Sequence, residues 1–159
     1  MNTQSLTHNP KLPGLLRLPL SLTPARLHNR LLVSALNRLF KDELQDDEMD
    51  FLEDKIVAIH VTDAGLNLRF TLQQQTIKTC HASSSPDLII EGSAYDFLLL
   101  ASRREDPDTL FFNRRLKLNG DTELGLYVKN FLDAVDLTER WQYLYKMSDK
   151  ASRIAERFG

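Results

Sequence analysis

Between Pro86 and Val135 the chain reads PDLIIEGSAYDFLLLASRREDPDTLFFNRRLKLNGDTELGLYVKNFLDAV, with apolar periodicity running unbroken through it. This stretch constrains the fold more than any other. It holds a short apolar strand around Leu88-Ile89-Ile90, then a helix opened by Ser93 with Asp96 three residues on, the spacing of a capping box. The helix body from Phe97 to Ala101 is apolar on nearly every side and ends at Arg103-Arg104. Asp106-Pro107 starts a short helical piece delivering Leu110, Phe111 and Phe112, and Leu116 to Leu118 makes a fifth strand. Asn119-Gly120-Asp121 turns that strand into a helix with Leu124, Tyr127, Val128, Phe131 and Val135 on one side.

Three strands are expected before this run. Lys55 to Val61 is rich in β-formers, and Asp63-Ala64-Gly65 makes a turn. Leu66, Leu68, Phe70 and Leu72 then alternate with polar residues, the pattern of a strand with one wet face. Thr76 to His81 gives the third, and the short links imply antiparallel hairpins. A last helix opens at Asp136 with Glu139, and Trp141, Leu144, Tyr145, Ser148, Ala151, Ala155 and Phe158 form its stripe.

The N-terminal part differs in character. Residues 1–9 are polar, and 10–22 form a leucine-bearing arm broken by prolines and Gly14. The arm either lies over the domain's own groove or enters a lipid surface. Thr23-Pro24 marks a helix start, Thr as cap and Pro at the first helical position. The helix to Lys41 is apolar over an arc about twice the roughly 100° of an ordinary surface helix, and its polar face is basic. Two roles fit such a helix, a sandwiched core element or one lying in a membrane interface with Arg26, Arg30 and Arg38 on anionic headgroups. The acidic stretch 42–54 follows and reads as a short helix and linker with a solvated face. The division expected is 1–45, the arm and basic amphipathic helix, and 46–159, the sheet domain.

Composition narrows the classes. The 159 residues hold 20 Lys and Arg against 22 Asp and Glu, so global charge gives no argument for nucleic acid. One cysteine, Cys80, rules out an internal disulfide framework and suits a reducing cytosol. No apolar run is long enough to span a membrane and no signal-peptide pattern opens the chain, so a cytoplasmic address is expected.

Chemical motifs are few. No dinucleotide or phosphate loop and no nucleophile elbow occurs. Ser83, Ser84 and Ser85 beside His81 read as a turn rather than a hydrolase site. Cys80 and His81, adjacent on a strand, point to opposite faces and do not converge with His60 on a metal without distortion. Arg114, Arg115 and Lys117 make a small basic cluster, read as solvated in preference to a headgroup contact. No catalytic set, cofactor or metal is expected. The surplus is in large apolar residues, which make either a thick core or the walls of a cavity.

The succession Asp87-Leu88-Ile89-Ile90, Ser93-x-x-Asp96-Phe97-Leu98, Asp106-Pro107, Leu110-Phe111-Phe112 and Arg115-Leu116-Lys117-Leu118-Asn119-Gly120-Asp121 resembles the sterol carrier protein type two domain. That family has a G-K-L-K-x-x-G-D strand-turn here, whose first glycine and lysine are replaced by Arg114 and Arg115. The likeness runs from Asp87 to Val135, extends over the strands from Lys55, and is absent before Asp46. It implies an α+β fold, a five-stranded, mainly antiparallel sheet with helices on one face around an apolar lipid tunnel. A carrier rather than an enzyme is implied, with lipid held by Leu98, Phe111, Phe112, Leu116, Leu118, Tyr127 and Phe131. A free-standing bacterial domain with a basic, leucine-rich extension further resembles the lipid carriers accessory to oxygen-independent ubiquinone biosynthesis. The partners implied are a ubiquinone precursor, polyprenyl lipid or phospholipid, an anionic membrane surface, and the biosynthetic enzymes, with a homodimer left open. The alternative class is a protein-interaction module with a packed core and no cavity.

Overall fold

The computed structural model describes residues 24–140 together with Gln142 and Lys146. The expected arm over 10–22 and every residue of the last helical stripe lie outside the described residues. Helix α1 spans Ala25–Leu39, α2 Lys41–Gln45, and a single 3₁₀ turn Asp50–Leu52. Strands β1 (Ile56–Val61), β2 (Leu66–Gln73), β3 (Thr76–Thr79) and β4 (Leu88–Gly92) follow. Helices α3 (Ala94–Ala101) and α4 (Pro107–Phe112), strand β5 (Lys117–Gly120) and helix α5 (Thr122–Ala134) complete the order. A further helix begins at residue 138, with Asp136 Oδ1 accepting from the Thr138 amide at 3.0 Å.

The five strands form one sheet in the order β3-β2-β1-β4-β5. The β1–β2, β2–β3 and β4–β5 pairs are antiparallel and the central β1–β4 pair is parallel. Register then puts Leu68, Phe70 and Leu72 of β2 on the same face as Val57 and Ile59 of β1, Leu88 and Ile90 of β4, Leu118 of β5 and Ile77 of β3. The helices pack on this face, and the opposite one presents Asn67, Arg69, Glu91 and Lys117. The alternation seen in the sequence of β2 is thus the burial pattern of a one-sided sheet.

Local chemistry fixes the element ends. Ser93 Oγ accepts from the Asp96 amide at 3.1 Å while Asp96 Oδ2 accepts from the Ser93 amide, the expected capping box. Asp106 caps α4 with Pro107 next to it, and Asp121 caps α5 by accepting from the Leu124 amide at 3.0 Å. Gly120, at φ 119°, lets β5 press onto β4; a Cβ there would lie 2.3 Å from the Asp87 carbonyl oxygen. Arg103, just past α3, donates to the Leu132, Asp133 and Val135 carbonyls and closes the C-terminal end of α5.

Three expectations change. Helix α1 starts at Ala25 with Pro24 in the cap position and no side-chain cap bond, and Thr23 lies outside the described residues. The acidic stretch is not wholly a solvated face, for Glu43 is only 7% exposed and is gripped by Arg140 Nη1 at 2.6 Å. That contact holds the Arg140 guanidinium above its already high pKa. In the basic cluster, Arg115 ion-pairs with Asp96, which is 2% exposed, at 2.5 Å and lies over the Tyr95 ring. A buried carboxylate requires such a partner.

Candidate functional site

Helix α1 meets the sheet at its edge. Asn37 Oδ1 accepts from the Ile77 amide at 2.9 Å and its Nδ2 donates to the Ile77 carbonyl at 2.8 Å, so one side chain takes the place of a sixth strand along β3. Asn29, two turns earlier, accepts from the Arg69 amide at 2.9 Å. Two asparagines, Asn37 from the polar side of the helix and Asn29 from within its apolar arc, are therefore the residues that dock it. Leu32, Ala35, Leu36 and Leu39 turn towards the sheet's apolar face. Arg26, Arg30 and Arg38 remain exposed, as do Leu27 and Leu31.

Between α1 and the sheet the core does not close, and a cavity of about 280 Å³ remains. Its floor is Val57, Ile59, Val61, Leu68, Phe70 and Ile90 from β1, β2 and β4. Its roof is α1 with Phe40, then Met49, Phe51 and Leu52 at the 3₁₀ turn, Phe97, Leu100 and Ala101 of α3, Val128, Phe131 and Leu132 of α5, and Leu137. Every described residue in this wall is apolar. Such a space gives water no partners and suits a hydrocarbon chain. Leu99, Leu100, Leu110 and Leu116 pack a second cluster beside it, which holds α3 and α4 in place.

Of the residues expected to hold lipid, Phe131 lines this cavity. The other six lie outside its wall. Leu116 is buried in the second cluster and Leu118 packs on the main core. Phe111 and Phe112 border an open surface groove with Asp108, Thr109 and Lys129, and Phe112 is 88% exposed. Leu98 and Tyr127 face outward, 60% and 50% exposed. Helix phase explains the difference on α3, where Phe97, Leu100 and Ala101 turn inward and leave Leu98 outside. The lining residues outside the expected set include those of α1, which was assigned to a separate segment, Met49 and Phe51, read as scattered in a linker, and Phe97, Leu100, Val128 and Leu132 of α3 and α5. The signal for the floor residues was present in the alternation of β2.

The remaining candidates for chemistry stay apart. His81 Nδ1 lies 2.7 Å from Ser83 Oγ in an exposed turn after β3. Burial pushes the Cys80 thiol up, against a smaller opposing pull from Arg69, so it is a poor nucleophile. Asp106, Asp108 and Asp133 approach one another at the surface, where Asp108 is held by Lys129 at 2.7 Å. Among the described residues no helix is long and apolar enough to cross a membrane.

A one-sided sheet roofed by helices over an apolar cavity defines an α+β domain of the sterol-carrier type. Residues 33–133 match the SCP-2 sterol transfer family, and the chain belongs to that family. Over 127 residues it is 42% identical to the ubiquinone biosynthesis accessory factor UbiT of Escherichia coli strain K12, covering 80% of this chain and 72% of that one. The same identity is found with the UbiT of Escherichia coli O157:H7. Among solved structures, "UbiJ-SCP2 Ubiquinone synthesis protein" superposes with a TM-score of 0.55 at 16% identity, over 68% of this chain and 95% of the other.

Proposed function

We propose that this protein is a non-catalytic accessory factor of ubiquinone biosynthesis that holds the isoprenoid tail of a ubiquinone precursor in the cavity while the ring is offered to modifying enzymes. The observation that supports this reading is the wall of the cavity, apolar at every described position. Its volume of about 280 Å³ lies at the small end of ligand sites and suits part of a tail rather than a whole one. Burial contributes about 0.8 kcal/mol per methylene, so an isoprene unit is worth about 4 kcal/mol before the costs of association. The name of the UbiT relatives supports ubiquinone biosynthesis as the pathway, and the oxygen-independent route rests on the resemblance in the sequence. Exposed Leu27 and Leu31, next to Arg26 and Arg30 on α1, suit transient contact with an anionic membrane surface from which the lipid would be taken. The cavity weighs against an interaction module with a fully packed core.

The test is native mass spectrometry with lipid extraction on the full chain purified from its own host. A co-purifying quinone or polyprenyl species is the expected result. Protein that carries no lipid and ignores anionic vesicles would overturn the reading. Replacing Arg26, Arg30 and Arg38 by Glu is expected to abolish vesicle binding without emptying the cavity.

A further inference from the structure

The cavity is bounded on one side by an aromatic path that reaches the surface. Phe40 and Phe131 lie with ring centroids 5.3 Å apart, Phe131 and Phe51 5.8 Å apart, and Phe51 and Tyr127 5.9 Å apart. The first three of these residues line the cavity, whereas Tyr127 does not and is half exposed. Its ring is stacked on Phe51 with an interplanar angle of 23°, so Phe51 has the cavity on one side and Tyr127 on the other. The contact joins the 3₁₀ turn to α5.

Two exposed carboxylates lie near this stack, Asp50 beside Phe51 on the turn and Glu123 one helical turn before Tyr127 on α5, while Glu53 is drawn away to accept from the Gln74 amide. Leu126 and Asn130 complete that exposed strip of α5, while Lys129 is drawn away to Asp108. A phosphate or carboxylate arriving here would meet like charge, whereas a neutral ring would meet the outer face of Tyr127 and an exposed leucine.

We propose that Tyr127, stacked on Phe51, is a head-group subsite at the surface behind the Phe51 wall of the cavity, and that it selects lipids bearing a neutral aromatic or quinoid ring over those bearing an anionic head. The proposal deepens the function proposed above and rests on the tail occupying the cavity. It assigns the ring to the surface, between the 3₁₀ turn and α5, where a modifying enzyme has access to it.

Three probes with the same two-isoprene tail separate the two ideas by titration calorimetry on the full chain: a dimethoxybenzoquinone, the simple alcohol and the diphosphate. The quinone is expected to bind roughly three- to tenfold more tightly than the alcohol, the range of an aromatic pair. Tyr127→Leu should abolish that preference, while Tyr127→Phe should keep it. The diphosphate should bind more weakly than the alcohol and recover when Asp50→Asn and Glu123→Gln are combined. Equal binding of quinone and alcohol by the unaltered protein, or a preference that survives Tyr127→Leu, would sink the ring subsite while leaving the tail cavity standing. Tightest binding of the diphosphate would overturn the selection against charge. Failure of all three probes to bind would overturn the tail reading itself, and the subsite with it.

Discussion

Asn37 shows how much one side chain decides. An edge strand presents unpaired amides and carbonyls that invite another strand, and here a single carboxamide satisfies both groups of Ile77. Its amide also donates to the Val33 carbonyl at 3.0 Å, which fixes its rotamer on α1. Asn37→Leu keeps the bulk and removes both bonds, and is expected to cost about 1–3 kcal/mol. Urea denaturation measures the loss, and hydrogen exchange at the Ile77 amide should lose protection in parallel. An unchanged midpoint and unchanged exchange would show that the edge is closed by something else. In the sequence this residue sat in the polar third of the helix wheel, indistinguishable from the arginines beside it. Nothing in periodicity separates an asparagine that faces water from one that faces a strand.

At the scale of elements, the second half of the chain was legible because its boundaries are written in local chemistry. Ser93, Asp106-Pro107 and Asp121 each act within three residues of themselves, so capping could be read directly. The cavity was not legible in the same way, since its wall is assembled from seven elements and Leu137 and depends on the phase at which each meets the others. One residue of helical phase separates Leu98, in solvent, from Leu99, buried in the second cluster. Charged pairs across long separations were equally hidden. Arg140 reaches back to Glu43 and to the Leu39 carbonyl, tying the segment after α5 to the junction of α1 and α2. Arg140→Ala would leave the Glu43 carboxylate buried alone, and a cost of about 3 kcal/mol is expected by urea denaturation. Adding Glu43→Gln should restore at least half of it; a double variant no better than the single one would show that Arg140 acts through packing alone.

At the scale of the whole molecule, the fold keeps a hole where a small domain would ordinarily place side chains. Packing density inside proteins is crystal-like, so the lining of an empty cavity forgoes contacts that a ligand restores. Stability should therefore respond to lipid more than to most changes at the surface. At a ligand concentration about a hundredfold above Kd, binding contributes about 2.7 kcal/mol, corresponding to roughly 5–10 °C in Tm for a chain of this size. Differential scanning calorimetry with and without a short-tailed quinone measures it. A bound ligand that leaves Tm unmoved would place it outside the cavity. Leu36→Trp, which projects bulk into the space from α1, should raise Tm of the ligand-free protein or leave it level while abolishing the ligand-induced shift.

The parallel pairing of β1 with β4 has a consequence for how the chain reaches this state. Strands β1, β2 and β3 are joined by tight turns and can assemble as a meander from neighbours in sequence. Strand β4 pairs with β1 only after the chain has passed through both hairpins, so the centre of the sheet, like the β4–β5 ladder beside it, is a long-range contact. Until that pairing forms, Ile90 is missing from the floor and α5, anchored beyond β5, has no seat from which Phe131 can complete the roof. Enclosure of the cavity accordingly depends on contacts made across long separations, and affinity for hydrocarbon is expected to follow those contacts rather than the hairpins.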